Sequence, residues 1–208
     1  CSTPKELHAG WNWIGAPCEI TETATALQSI SGFYQRVLSL DKTYDPALPQ
    51  YSTLINLTPG EGYLIYLTEP ATLIYPEQAM HVAEYQPSSS TQCSCLSPTP
   101  NSTLIYGQIL FAGNPAPRGT IVEFLTPRGE VAGCGRITED GLLPLTQVFG
   151  KYDETEDVGF FEGEPIVIRI KGVDIIMELD LLWTDDKVPH EVIADFDVYS
   201  TYIPIIRR

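Results

Sequence analysis

Trp11 and Trp13 lie two residues apart in Leu7-His-Ala-Gly-Trp-Asn-Trp-Ile-Gly15. Alternate residues of a strand share one face, so the two indoles would sit side by side. With Tyr63 and Tyr66 they would form an aromatic platform for stacking on sugar rings, the device of a carbohydrate-binding module; the competing use of such rings is core and cross-strand packing. A second candidate is Asp153-Glu-Thr-Glu-Asp157, where Asp153, Thr155 and Asp157 offer oxygen ligands at alternate positions, as part of a Ca²⁺ loop does. Its glycine falls at position 159, one residue later than an EF-hand needs, and no helices flank it, so the competing reading is a solvated acidic loop.

Bond-making chemistry finds less support. His8, His81 and His190 are dispersed, and no Gly-x-Ser-x-Gly or His-Glu-x-x-His phrase accompanies them. Carboxylates are abundant, at 153–157 and again at Glu162, Glu164, Asp185 and Asp186, but a glycosidase pair must face each other across a cleft, and no pattern indicates one. The residues read as a non-catalytic protein with no cofactor beyond a candidate Ca²⁺.

The five cysteines are Cys1, Cys18, Cys93, Cys95 and Cys134. Cys93-Ser-Cys95 is too tight for a zinc-ligand pair and no histidine follows at finger spacing, so disulfides are the expectation. The alternation of Cys93 and Cys95 would send one thiol to Cys18 and the other to Cys1. Cys134 is then expected to be left over, as a buried free thiol or in an intermolecular bridge. Cys1 also suits a lipid-carrying first residue of a bacterial lipoprotein, against a processed end or a disulfide.

The elements that must position these groups are mostly strands. The Ser/Thr/Pro-dense stretch 86–103 reads as a linker between residues 1–85 and 104–198, each of ordinary domain size. In the first unit, strands are expected over 7–15, 33–40, 51–56, 62–67 and 71–75, with one short helix through Ala24, Leu27 and Ile30, capped by Thr21 or Thr23. In the second, runs at 104–111, 120–125, 130–137, 142–148, 165–170, 175–183 and 190–198 alternate with turn signals, which argues for an antiparallel β-sandwich. The fold class is mainly β in two domains.

Twelve basic against 27 acidic residues give a formal charge of −15, which repels nucleic acid and anionic lipid. No run of about 18 apolar residues is present to span a bilayer. The final segment, 199–208, is a β-prone tail in which Tyr202, Ile203, Ile205 and Ile206 would supply side-chain specificity to a strand donated to another molecule, or would complete the chain's own sheet.

Gly10-Trp-Asn-Trp-Ile-Gly-Ala-Pro17, Tyr44-Asp-Pro-Ala-Leu-Pro49 and Leu57-Thr-Pro-Gly-Glu-Gly-Tyr63 resemble a module of large secreted and surface proteins of bacteria, marked by "GWNLIGYP" and "PGKGYWI" phrases. Tyr106-Gly-Gln-Ile109, Asn114-Pro-Ala-Pro-Arg-Gly-Thr120 and Glu162-Gly-Glu-Pro-Ile-Val-Ile168 are similar to an Ig-like or carboxypeptidase-regulatory-like (transthyretin-like) sandwich often found beside it, and Tyr202–Arg207 resembles a closing "YLPLV-R" phrase. The resemblance implies an extracellular accessory protein of the bacterial cell surface: a structural or appendage subunit pairing with itself or other surface proteins through its terminal segment, or alternatively a carbohydrate-binding, adhesive module with polysaccharide as partner.

Overall fold

The computed structural model describes residues 3–76, 98–152, 158–173 and 175–196. The chain divides into two compact units, Cys1–Gln92 and Cys93–Arg208, with the division inside the expected linker. Both are built mainly of strands, in agreement with the turn-punctuated β-branched runs of the sequence.

The first unit contains β1 (Lys5–Leu7), β2 (Gly10–Gly15), β3 (Thr21–Glu22), α1 (Thr23–Ala26), β4 (Tyr34–Leu38), β5 (Thr43–Tyr44), β6 (Asn56–Leu57), β7 (Gly62–Leu67) and β8 (Ala71–Leu73). Its main sheet has the order β2-β7-β4-β5, and β1–β8 and β3–β6 form two small antiparallel pairs. The strand expected over 7–15 is broken in two because Gly10 turns the chain at φ +92°, a conformation that costs a glycine little. The expected helix is one α turn continued by a 3-10 turn at Gln28–Ile30. Neither threonine caps it: the Thr21 hydroxyl donates to the Glu19 carbonyl (2.9 Å) and that of Thr23 to the Leu54 carbonyl (2.8 Å). Leu27 and Ile30 are nevertheless buried, with Val37, Leu57 and Ile65, in the core of the unit, whereas Ala24 is exposed and Ala26 takes its place there. The expected strand over 51–56 is replaced by a 3-10 turn at Pro49–Tyr51 and irregular chain, whose Thr53 and Leu54 N–H groups both donate to the Thr43 carbonyl.

The second unit is one curled eight-stranded sheet: β9 (Ser102–Phe111), β10 (Asn114–Pro115), β11 (Ile121–Leu125), β12 (Val131–Arg136), β13 (Leu142–Phe149), β14 (Pro165–Ile170), β15 (Ile175–Leu182) and β16 (Pro189–Phe196). Pairing is antiparallel along β9-β13-β12-β11-β14-β15. The expectation of a wholly antiparallel sandwich needs one correction, since β16 runs parallel to β9 over Leu104–Phe111. The curl encloses Ile105, Val122, Phe124, Ile168, Trp183 and Phe196. Trp183 stacks on Phe160 (centroids 6.3 Å apart, planes 5° apart), and its indole N–H donates to the Val148 carbonyl at 3.0 Å, so the one polar atom of this buried ring is satisfied.

Candidate functional site: an aromatic sheet face in the first unit

The side-chain phase of β2 is set at its start. Asn12 is buried and accepts from the His8 N–H (3.1 Å) while its amide donates to the carbonyls of His8 (2.7 Å) and Gly10 (3.0 Å). With Asn12 and Ile14 turned inward, Trp11 and Trp13 are turned to the opposite face. Pairing with β7 places Trp11 across from Tyr66 and Trp13 across from Leu64, and β4 adds Arg36 beside Tyr66 and Leu38 beside Leu64. The two tryptophans therefore share one face, as the spacing predicts.

This face is open to solvent at its indole end. Trp13 is 77% exposed and Trp11 is half-buried; Trp11 meets Tyr66 edge-on, with centroids 5.1 Å apart and planes at 67°. Neither tryptophan belongs to the core of the unit. A single exposed apolar residue needs no explanation; what sets Trp13 apart from the comparably exposed Leu40 and Ile193 is that a second indole, Trp11, and Tyr66 lie on the same sheet face.

Tyr63 leaves the expected platform. It is fully buried on the inner face, its hydroxyl accepting from the Thr58 N–H (2.8 Å) and donating to the Glu61 carboxylate (2.7 Å). Burial raises the Tyr63 hydroxyl above its ordinary pKa and pushes that of Tyr75, which donates to the Gly15 carbonyl, up to about 12, so both stay protonated donors. Leu64 and Arg36 join the face in its place. The run Gly62-Tyr-Leu-Ile-Tyr-Leu67 is apolar throughout, so its phase was invisible until the pairing with Asn12 and Ile14 fixed it.

The other sequence candidates fare differently. Asp185 and Asp186 form the tightest polar knot. Asp186 accepts from the Val188 N–H (2.9 Å), the Thr184 hydroxyl (2.8 Å) and the Thr103 hydroxyl (3.0 Å), and lies 2.8 Å from Nε2 of His190. Asp185 accepts from the Ser102 N–H (2.8 Å) and from the Lys187 ammonium (2.6 Å). Partial burial pushes the Asp186 carboxyl up, but these hydrogen bonds outweigh it and hold the group below its ordinary value. The knot ties the β15–β16 connection to the start of β9. Both threonine hydroxyls are spent on the carboxylate and not on the imidazole, so they are not placed as nucleophiles activated by His190. Glu164 pairs with Arg128, which also lies 4.7 Å over the Phe161 ring, and Glu162 accepts from the Asp185 N–H.

Of the cysteines, Cys18 and Cys134 are described, and neither is a free thiol. Cys134, expected to be left over as a buried free thiol or in an intermolecular bridge, is thus engaged. Its neighbour across the strands, Glu123, is buried and receives two hydrogen bonds from Arg169 (2.9 and 2.6 Å). Cys1, Cys93, Cys95, His81, the candidate Ca²⁺ ligands Asp153, Thr155 and Asp157, and the assembly residues Tyr202, Ile203, Ile205 and Ile206 lie outside the described residues. Among the described residues no three His, Cys, Asp or Glu side chains converge as a metal site, and no helix is long and apolar enough to cross a membrane.

Comparison with known proteins finds no match to a family model, to a curated protein or to a solved structure.

Proposed function

We propose that the chain is a non-catalytic extracellular protein of a cell surface whose first unit attaches to polysaccharide through Trp11 and Trp13. The observation that carries this reading is the solvent-exposed Trp13 beside Trp11 on an outward sheet face, with Tyr66 and Leu64 extending the apolar ground. Sugar rings present flat C–H faces to an indole, and a sheet presents its rings without the entropy cost of ordering a loop. An oxidising, extracellular setting is supported by Cys18 and Cys134 both being engaged, with disulfides as the partners we assign them. The test is a glycan array followed by affinity electrophoresis in polysaccharide gels. Retardation of the native chain that is lost in Trp11→Ala/Trp13→Ala supports the proposal, and absence of retardation on every polysaccharide overturns it.

A second reading, a structural subunit that assembles by strand pairing, is favoured by one observation in the second unit. Strand β15 pairs with β14 alone, and its other edge is unpaired among the described residues. The two readings are compatible, since they use different units.

A further inference from the structure

Strand β15 alternates strictly. Ile175, Met177, Leu179 and Leu181 turn to the core, whereas Ile176, Glu178, Asp180 and Leu182 turn to solvent. The outward set is therefore apolar at both ends and acidic in the middle, with Ile176 64% exposed. Strand β16 comes alongside β15 without pairing to it, and contributes a second outward row of the same kind, Glu191, Ile193 and Asp195. Among the described residues no cation pairs with Glu178, Asp180 or Glu191. Proteins normally blunt a free edge with charged side chains, prolines or bulges, and the register of β15 against β14 shifts between Glu178 and Leu182. This one carries uncompensated negative charge between exposed isoleucine and leucine side chains.

The matching chemistry is in the chain itself. Residues 197–208 continue from the end of β16 and close with Tyr202-Ile-Pro-Ile-Ile-Arg-Arg208, which holds the one pair of adjacent basic residues in a sequence of charge −15. In an extended conformation Ile203, Ile205 and Arg207 would alternate with Tyr202, Pro204, Ile206 and Arg208, so each face presents apolar side chains followed by an arginine. Twelve extended residues reach about 40 Å, enough to leave one molecule and lie along another. Two copies of so acidic a chain repel each other at long range, so association needs a local contact of opposite sign.

We infer that the unpaired edge of β15, flanked by the acidic row of β16, accepts the C-terminal segment 199–208 of a second copy of this chain, which adds to the sheet as a further strand with one of its two arginines on the outward face beside Glu178 and Asp180. The inference rests on the assembly reading above and names the acceptor for it. Donor and acceptor are different surfaces, so the contact is head-to-tail and propagates as a filament instead of closing as a dimer.

The experiment is light scattering with size-exclusion chromatography on the full chain over a concentration series, with electron microscopy of the largest species. The native chain is expected to form concentration-dependent oligomers. Glu178→Lys/Asp180→Lys and, separately, Arg207→Glu/Arg208→Glu are each expected to weaken association by about tenfold or more, and the chain carrying all four changes is expected to regain it. Glu178 and Asp180 are exposed, and melting curves check that each variant is folded. A native chain that stays monomeric throughout, with its melting temperature lowered by the arginine reversal, shows the segment bound to its own sheet and overturns the inference. Oligomers that persist undiminished in a chain ending at residue 198 show that the segment is not the donor and overturn the inference, while leaving assembly itself standing. Failure of the fourfold variant to recover overturns the charge pairing.

Discussion

Replacing Trp13 by alanine separates binding from folding more cleanly than any other change in the first unit. A tryptophan side chain presents about 200 Å² of largely apolar surface. With the residue 77% exposed, roughly 45 Å² is withdrawn from water on folding, worth about 1 kcal/mol at about 25 cal/mol per Å². A sugar ring stacked on one face of the indole would cover roughly 70 Å² more, worth about 1.8 kcal/mol, or about twentyfold in Kd. Trp13→Ala is thus expected to weaken polysaccharide binding about twentyfold while the urea midpoint falls by about 0.5 M at most, the shift that about 1 kcal/mol makes at a slope of about 2 kcal/mol per M. Trp11→Ala should do both, since it also removes the edge-on contact with Tyr66, worth about 0.5–1.5 kcal/mol. Isothermal titration against a glycan selected on the array, alongside urea unfolding of the same preparations, reads the two effects independently. If Trp13→Ala binds as tightly as the native chain, stacking at this face is not how the glycan is held.

Three further expectations concern the second unit. Gly107 sits at φ +143°, and an added Cβ would lie 1.9 Å from the Val192 carbonyl oxygen, so Gly107→Ala should cost about 3 kcal/mol or more by parting β9 from β16, read as a large fall in melting temperature. Glu123→Leu strands Arg169 and Lys171 without their buried partner; because both cations are partly exposed the loss should be about 1–2 kcal/mol, and the double change Glu123→Leu/Arg169→Leu should recover most of it in chemical unfolding. Asp186 has its folded pKa below the ordinary 3.8, so the unfolded chain binds the proton more readily: its contribution is complete above about pH 4 and is lost as pH falls through the folded value. Unfolding free energies measured between pH 6 and pH 2.5 should fall less steeply in Asp186→Asn than in the native chain, and equal slopes would refute the assignment.

The long strands were legible because β-branched runs between glycine and proline turns admit few other conformations, as at Leu104–Phe111 and Pro165–Ile170. The two-residue strands β3, β5, β6 and β10 exist only through their partners and leave no local pattern. Residues 51–56 misled because Leu54 and Ile55 look strand-like, whereas their backbone is governed by the 3-10 turn that Pro49 starts and by Thr43. The parallel course of β16 was hidden for a different reason. Its register beside β9 is pinned by Asp185 and Asp186 reaching back to Ser102 and Thr103, 83 residues away, and an Asp-Asp pair does not announce its targets. The tryptophan face was legible in its spacing; its exposure was not, since alternation says that two rings share a side without saying which side faces water.

The charge of the chain also restricts what that face will hold. At a formal −15, uronate or sulfate polysaccharides meet repulsion from the molecule as a whole, and Arg36 is the one cation that strand register brings beside Tyr66. A ligand held by stacking on Trp11 and Trp13 is therefore expected to be a neutral glycan. Apolar contact is little affected by ionic screening, whereas surface ion pairs weaken once the Debye length falls to about 3–10 Å. Binding should accordingly change by less than about twofold between roughly 0.05 and 0.5 M salt. Steep weakening over that range would shift the weight of recognition from the indoles to Arg36, and the decisive variant would then be Arg36→Gln, with Trp13→Ala reduced to a minor effect.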